Sequence, residues 1–243
     1  MKKFKAFIAL DATNNKENIK VVKKLYKLVY GFKVGYRSFY NKDANKLIAE
    51  IKRKKSSLFL DLKLHDIPNT VSSAIESLKN INPEFLTLHI SGGEEMLKIA
   101  LKNIKNFNLK TKVLGVTLLT SLDGTDSKKI YGEKDTDKLI KKLALIASKA
   151  KIAGLICSGQ DLKFLKSYKK LLKVTPGVKL LDRKDDQKRV SFVHDALNNG
   201  ANFVVIGREL INAKDPMKLI IDILKNMKIK ICGQIIQELL NTV

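Results

Sequence analysis

Cysteine is nearly absent from this chain, proline is scarce and no long apolar run is present; each shortage removes a class of protein. Cys157 and Cys232 are too few for a disulfide framework and lack the CxxC or Cys/His spacing of a zinc site, so both read as unbridged thiols. Four prolines and 13 glycines among 243 residues, with 44% hydrophobic residues, exclude a disordered or fibrous chain. No self-similar period signals a repeat protein. The opening MKKFKAFIALDATNN imitates a secretory leader only as far as Asp11, where its apolar run stops without a small-residue cleavage site. A cytoplasmic protein with no membrane attachment is expected.

Acidic residues are also in short supply, 24 against 47 basic ones, for a formal net charge of +23. That excess would suit a polyanionic partner. Only Arg37, Arg53, Arg183, Arg189 and Arg208 are arginines, however, and most of the lysines fall on the polar faces of expected helices. Nucleic-acid recognition draws on arginine forks and aromatic platforms. The charge therefore reads as a solvated, lysine-biased surface, with no nucleic-acid partner.

What the chain does have is order. Eight short apolar runs, at 5–11, 29–35, 57–63, 85–90, 112–119, 153–158, 172–177 and 202–207, alternate with amphipathic stretches. Helix candidates include 41–53, 69–80, 93–106, 136–151, 186–199 and 214–228. This repeated strand-then-helix pattern predicts an α/β fold, a (β/α)8 TIM barrel in a single domain over residues 1–229. Residues 230–243 are left as a C-terminal tail with room for one short helix. A doubly wound open sheet is the alternative, but there is no early GxGxxG, and polar residues recur at the ends of many strands instead of around one switch point. Two polar loops, 120–133 and 177–186, are long enough to act as mobile lids.

Strand parity picks out the candidate site. In 57–64 the leucines at 58, 60, 62 and 64 share one face, leaving Phe59, Asp61 and Lys63 on the other, toward the barrel interior. The same count turns Asp11, Lys33, Thr87 and His89 inward, so charges from several strand ends converge on one mouth. At about 4 Å and an effective dielectric near 20, an opposite pair gains roughly 4 kcal/mol before desolvation, so alternating signs are what stability demands. A structural ion-pair ladder explains one such pair. It is a poorer account of several charges on different strand ends. A lysine flanked by carboxylates is held in its charged form and is poised as a general acid. Gly177 after the seventh run, and Gly207 with Arg208 after the eighth, stand where barrels often grip phosphate. His89 reads as a barrel-core histidine and is not counted as catalytic.

The phrases ALD at Asp11, KVG at Lys33, FLDLKLHDIPNT over 59–70, LHISGG, VTLLTSLD, CSGQ, VTPGV, DDQKR and VIGR together resemble the orotidine 5′-phosphate decarboxylases over nearly the whole chain. The resemblance implies decarboxylation of orotidine 5′-monophosphate to UMP without cofactor or metal, in a single-function enzyme of pyrimidine synthesis. It further implies that Asp11 and Lys33 hold the ribose hydroxyls, that Asp61 faces the substrate carboxylate, and that Lys63 delivers the proton to C6. Asp66 and Thr70 would come from the second subunit of a homodimer. Thr120 would meet the pyrimidine, and Lys179, Gln187, Gly207 and Arg208 the phosphate. Lys179 stands where the family commonly has arginine, and Arg183 is close enough in sequence to compensate. The sugar-phosphate branch, hexulose-phosphate synthase and 3-keto-gulonate-phosphate decarboxylase, shares Asp-x-Lys-x-x-Asp but uses magnesium and carries glutamate at the position of Lys33.

Overall fold

Alternation along the third run becomes the two faces of a barrel wall. In a computed structural model, which describes residues 3–180 and 191–226, strands β1 (Phe4–Ala9), β2 (Val29–Gly35), β3 (Ser57–Leu64), β4 (Phe85–His89), β5 (Lys112–Val116), β6 (Gly154–Ile156) and β7 (Leu172–Pro176) pair in parallel, neighbour to neighbour. Two short strands, β8 (Val178–Lys179) and β9 (Ser191–Phe192), form a separate ladder. The eighth barrel strand, β10 (Phe203–Ile206), pairs with both β7 and β1 and closes the ring. The expected (β/α)8 barrel is the observed fold.

Burial follows the predicted parity. Leu58, Leu60 and Leu62 join Ile8, Leu10, Phe32 and Val34 in the layer between barrel and helices. Phe59 faces the other way, into an interior cluster with Phe7, Phe85, Leu114, Val174 and Val205. Phe7 is fully buried, with ring centroids of Tyr30, Phe59 and Phe85 at 5.3, 5.3 and 5.5 Å, each edge-on. These aromatics fill the barrel interior and leave polar chemistry to its C-terminal mouth.

Helices α1 (Asn15–Leu25), α2 (Tyr36–Phe39), α3 (Ala44–Arg53), α4 (Pro68–Ser77), α5 (Gly93–Asn106), α6 (Gly124–Tyr131), α7 (Thr136–Ala150), α8 (Val193–Asn198), α9 (Arg208–Ile211) and α10 (Pro216–Asn226) fill the connections, with a 3-10 turn at Asp161–Leu165 between β6 and β7. Their starts are locally encoded: Asn14 caps α1, Asp135 caps α7, and Pro68 opens α4 where a missing N–H costs nothing. Three expectations need correction, the first being the helix candidate 186–199, in which Ser191–Phe192 is strand β9 and the helix runs over Val193–Asn198. The stretch 120–133 is not all loop, because Asp123 and Asp126 form a capping box that starts α6, which ends on left-handed Gly132. The fifth strand stops at Val116 instead of running to 119, because its ladders with β4 and β6 both end there, at His89 and Ile156. Among the described residues no helix is long and apolar enough to cross a membrane. The tail at 230–243 and most of the loop 177–186 lie outside them.

Candidate active site

Four charged side chains from β1, β2 and β3 meet at the strands' C-terminal ends. Lys33 Nζ lies 3.3 Å from Asp61 Oδ2 and 3.8 Å from Asp11 Oδ1, while Lys63 Nζ lies 2.8 Å from Asp61 Oδ1. The order Asp11, Lys33, Asp61, Lys63 alternates in sign. The Lys33 and Asp61 side chains are only 12% and 14% exposed, whereas Asp11 on the rim is 43% exposed. With a dielectric near 20, the two contacts to Asp61 are each worth about 5–6 kcal/mol before desolvation. Burial pushes the Asp61 carboxyl up, but Lys33 and Lys63, with hydrogen bonds from Lys63 and Thr87, outweigh it and hold the group below the usual carboxylate range. Gly35 makes room for this: a Cβ there would come within 3.3 Å of Lys33 Nζ.

β3 is irregular where it matters. Its ladder with β4 runs Phe59 to Phe85 and Leu60 to Leu86, then resumes only at Leu64 to Leu88, so Asp61, Leu62 and Lys63 lie in a bulge. Lys63 takes φ of 42°, a left-handed conformation that few side-chain-bearing residues adopt. Its N–H donates to Thr87 Oγ1 at 2.8 Å, and the Thr87 hydroxyl donates to Asp61 Oδ1 at 3.1 Å. Thr87 is fully buried. Its inward parity is legible in the sequence, but nothing there marks it as a support for both Asp61 and Lys63.

Two adjoining cavities share Lys33, Asp61, Pro176 and Val205. The inner one, about 190 Å³, has Lys63 and Thr120 among apolar walls that include Phe59, Val116, Leu118 and Ile156. The outer one, about 580 Å³, has a mixed polar and apolar lining that includes Asp11, Gly177, Lys179, Gly207 and Arg208. A Cβ on Gly177 or Gly207 would meet nothing within 4 Å, so the space beside both is open. Cys157 also lines the inner cavity, but burial pushes its thiol up to about 12, which leaves it a poor nucleophile. His89 is half-buried against His65, its ring centroid 5.1 Å away, and burial first, then His65 and Lys63, lower its pKa. It stays neutral at pH 7.

Not every expected residue joins the cluster. Asp66 and Thr70 are exposed at the start of α4 and line neither cavity, and the Asp66 carboxylate accepts from the Ile67 N–H at 2.7 Å. Gln187 and Arg183 lie outside the described residues. Among the described residues no group of three or more His, Cys, Asp or Glu is placed to hold a metal ion.

A parallel barrel that gathers its charged side chains at the C-terminal mouth, beside a half-apolar, half-polar pair of cavities, defines a (β/α)8-barrel enzyme of small, charged substrates. Comparison with known proteins narrows the class. The chain belongs to the orotidine 5′-phosphate decarboxylase / HUMPS family, whose family model matches residues 5–220. It is 34% identical to an orotidine 5′-phosphate decarboxylase of Nautilia profundicola over 92% of this chain and 99% of that one. It is 37% identical to one of Ehrlichia chaffeensis over 89% and 94%. The crystal structure of orotidine 5′-phosphate decarboxylase from Lactobacillus acidophilus superposes with a TM-score of 0.77 at 28% identity, covering 93% of this chain and 99% of that one.

Proposed function

We propose that the protein decarboxylates orotidine 5′-monophosphate to UMP and carbon dioxide, with Lys63 as the proton donor. The observation that carries this reading is the placement of the Lys63 ammonium, 2.8 Å from Asp61, on the wall of the mostly apolar inner cavity. The pyrimidine enters that cavity beside Thr120, and the phosphate stays in the outer one near Lys179, Gly207 and Arg208. Asp11 and Lys33 hold the ribose between the two ends.

The chemistry then follows from charge. As the bond between C6 and the carboxylate breaks, its electron pair remains on C6, where the ring offers no electron sink. A cation fixed beside that carbon before the reaction stabilises the developing charge without reorganisation. Lys63 passes one proton to C6 as carbon dioxide leaves, and its amine regains a proton from solvent. Asp61 holds Lys63 in place and faces the departing carboxylate. Phosphate and ribose contacts, remote from the reacting atoms, keep the ring in register.

The same reading makes the active form a cytoplasmic homodimer in which Asp66 and Thr70 of one subunit complete the other's site. Support comes from exposed hydrophobic side chains: Ile67, next to Asp66 in the chain, is 66% exposed, and Tyr36 and Tyr40 are 48% and 76% exposed. The Tyr36 and Tyr40 rings stack 6.1 Å apart. Mixed Asp66→Ala and Lys63→Ala proteins, each inactive alone, are expected to regain activity once subunits exchange.

A magnesium-dependent sugar-phosphate reaction, the other branch of the family, is disfavoured by Lys33, whose ammonium sits between Asp11 and Asp61, where a divalent cation would need free carboxylates. The deciding experiment follows the absorbance of orotidine 5′-monophosphate with purified protein in EDTA, with Lys63→Ala alongside. Conversion to UMP by wild type alone is expected. No conversion by folded wild type in EDTA would overturn the assignment.

A further inference from the structure

Left-handed residues other than glycine are few among the described residues, and all but one have a local cause. Lys55, Asn82, Asn108 and Lys151 follow helices α3, α4, α5 and α7. There a left-handed residue ends the helix and lets following N–H groups reach back, as Ser56 does to Ile51, Leu109 to Ile104 and Ile152 to Ala147. Lys63 is different, because it lies inside β3, with no helix end to account for it.

The peptide group that leads into Lys63 is held by side chains. Its carbonyl, that of Leu62, accepts from the Tyr36 hydroxyl at 2.8 Å, and its N–H, that of Lys63, donates to Thr87 Oγ1 at 2.8 Å. This peptide falls inside the gap in the ladder with β4, between Leu60 and Leu64. A hydroxyl has one proton and two lone pairs, so Thr87 accepts from Lys63 and still gives its proton to Asp61. Tyr36 also keeps its ring 6.0 Å from the Lys63 ammonium.

We propose that Tyr36 and Thr87 are positioning residues for the reaction, clamping the Leu62–Lys63 peptide from both sides and so fixing the left-handed turn that carries the Lys63 ammonium to Asp61. Neither has to touch the substrate to act. The inference rests on the decarboxylase reading above and adds to it two residues outside the Asp-x-Lys-x-x-Asp phrase.

The test compares Thr87→Val, Thr87→Ser and Tyr36→Phe with wild type for turnover of orotidine 5′-monophosphate, and measures UMP affinity and subunit state in parallel. Thr87→Val keeps the shape and loses the hydroxyl; Tyr36→Phe keeps the ring and loses the donor. Misplacing the ammonium by a fraction of an ångström is expected to lower kcat about tenfold or more in Thr87→Val and several-fold in Tyr36→Phe. KM and UMP affinity should stay within about twofold of wild type, because the phosphate and ribose contacts are untouched. Thr87→Ser, which restores the hydroxyl, is expected to bring kcat back to within about threefold. Wild-type kcat in both hydroxyl-deleted variants would overturn the clamp, as would kcat and UMP affinity falling together without rescue by serine. Absence of turnover by wild type itself would refute the decarboxylase reading instead.

Discussion

Lys63 offers a stability measurement whose sign is opposite to the usual one. Its φ of 42° lies in a strand, and a residue with a Cβ pays about 1–2 kcal/mol for that conformation. Glycine escapes this penalty but loses roughly 0.5–1 kcal/mol through the greater freedom of its unfolded chain. Lys63→Gly should therefore be more stable than Lys63→Ala by roughly 0.5–1 kcal/mol. Both variants remove the ammonium from Asp61, so that loss cancels in the comparison. Lys112, an exposed residue of β5 with no left-handed backbone, supplies the control. There glycine should be less stable than alanine by about 0.5–1 kcal/mol. Urea unfolding and thermal scans of the four single variants at pH 7 measure both differences, and for a chain of this length the first corresponds to a rise of roughly 1–4 °C in Tm. Lys63→Gly equal to or less stable than Lys63→Ala would refute the left-handed strand residue and the positioning built on it.

Acid should act through Asp61, whose carboxyl is held below its ordinary range despite burial. The stability of wild type relative to Asp61→Asn should be constant above about pH 4 and decline as pH falls through the lower native value; a difference unchanged down to about pH 2 would contradict this. Arg208→Ala should raise KM for orotidine 5′-monophosphate by about 10- to 150-fold, the loss of a charged hydrogen bond, yet leave the rate with orotidine, which has no phosphate, the same as that of wild type. Equal effects on both would remove Arg208 from the phosphate end. In the barrel interior, Phe7→Ala deletes the ring that meets Tyr30, Phe59 and Phe85, and should cost about 3–5 kcal/mol in urea unfolding. A cost near 1 kcal/mol would mean that the interior is not packed around that ring.

Much of the fold and of the site is legible in the sequence. The leucines at 58, 60, 62 and 64 alternate with Phe59, Asp61 and Lys63, and the burial of β3 follows that division. The convergence of Asp11, Lys33, Asp61 and Lys63 likewise follows from parity, which is local and needs only a period of two. Segment ends were less legible. Where β5 stops depends on its neighbours β4 and β6, whose ladders with it both end at Val116. The helix within 120–133 is less legible although its signal, aspartates at 123 and 126, is present, because a polar run suits a loop by composition as well as it suits a capping box.

The sequence by itself determined the order of strands and helices, the faces they bury and the signs of the charges at their ends, since each is set by residues within a few positions of one another. The left-handed turn at Lys63 was decided only by tertiary structure. It is held by Tyr36 and Thr87, which lie 26 and 24 positions from the groups they bind and reach them only once β2 and β4 have docked on either side of β3. A backbone conformation disfavoured for a lysine persists where surrounding hydrogen bonds over-determine it, and those bonds do not exist until the barrel has formed.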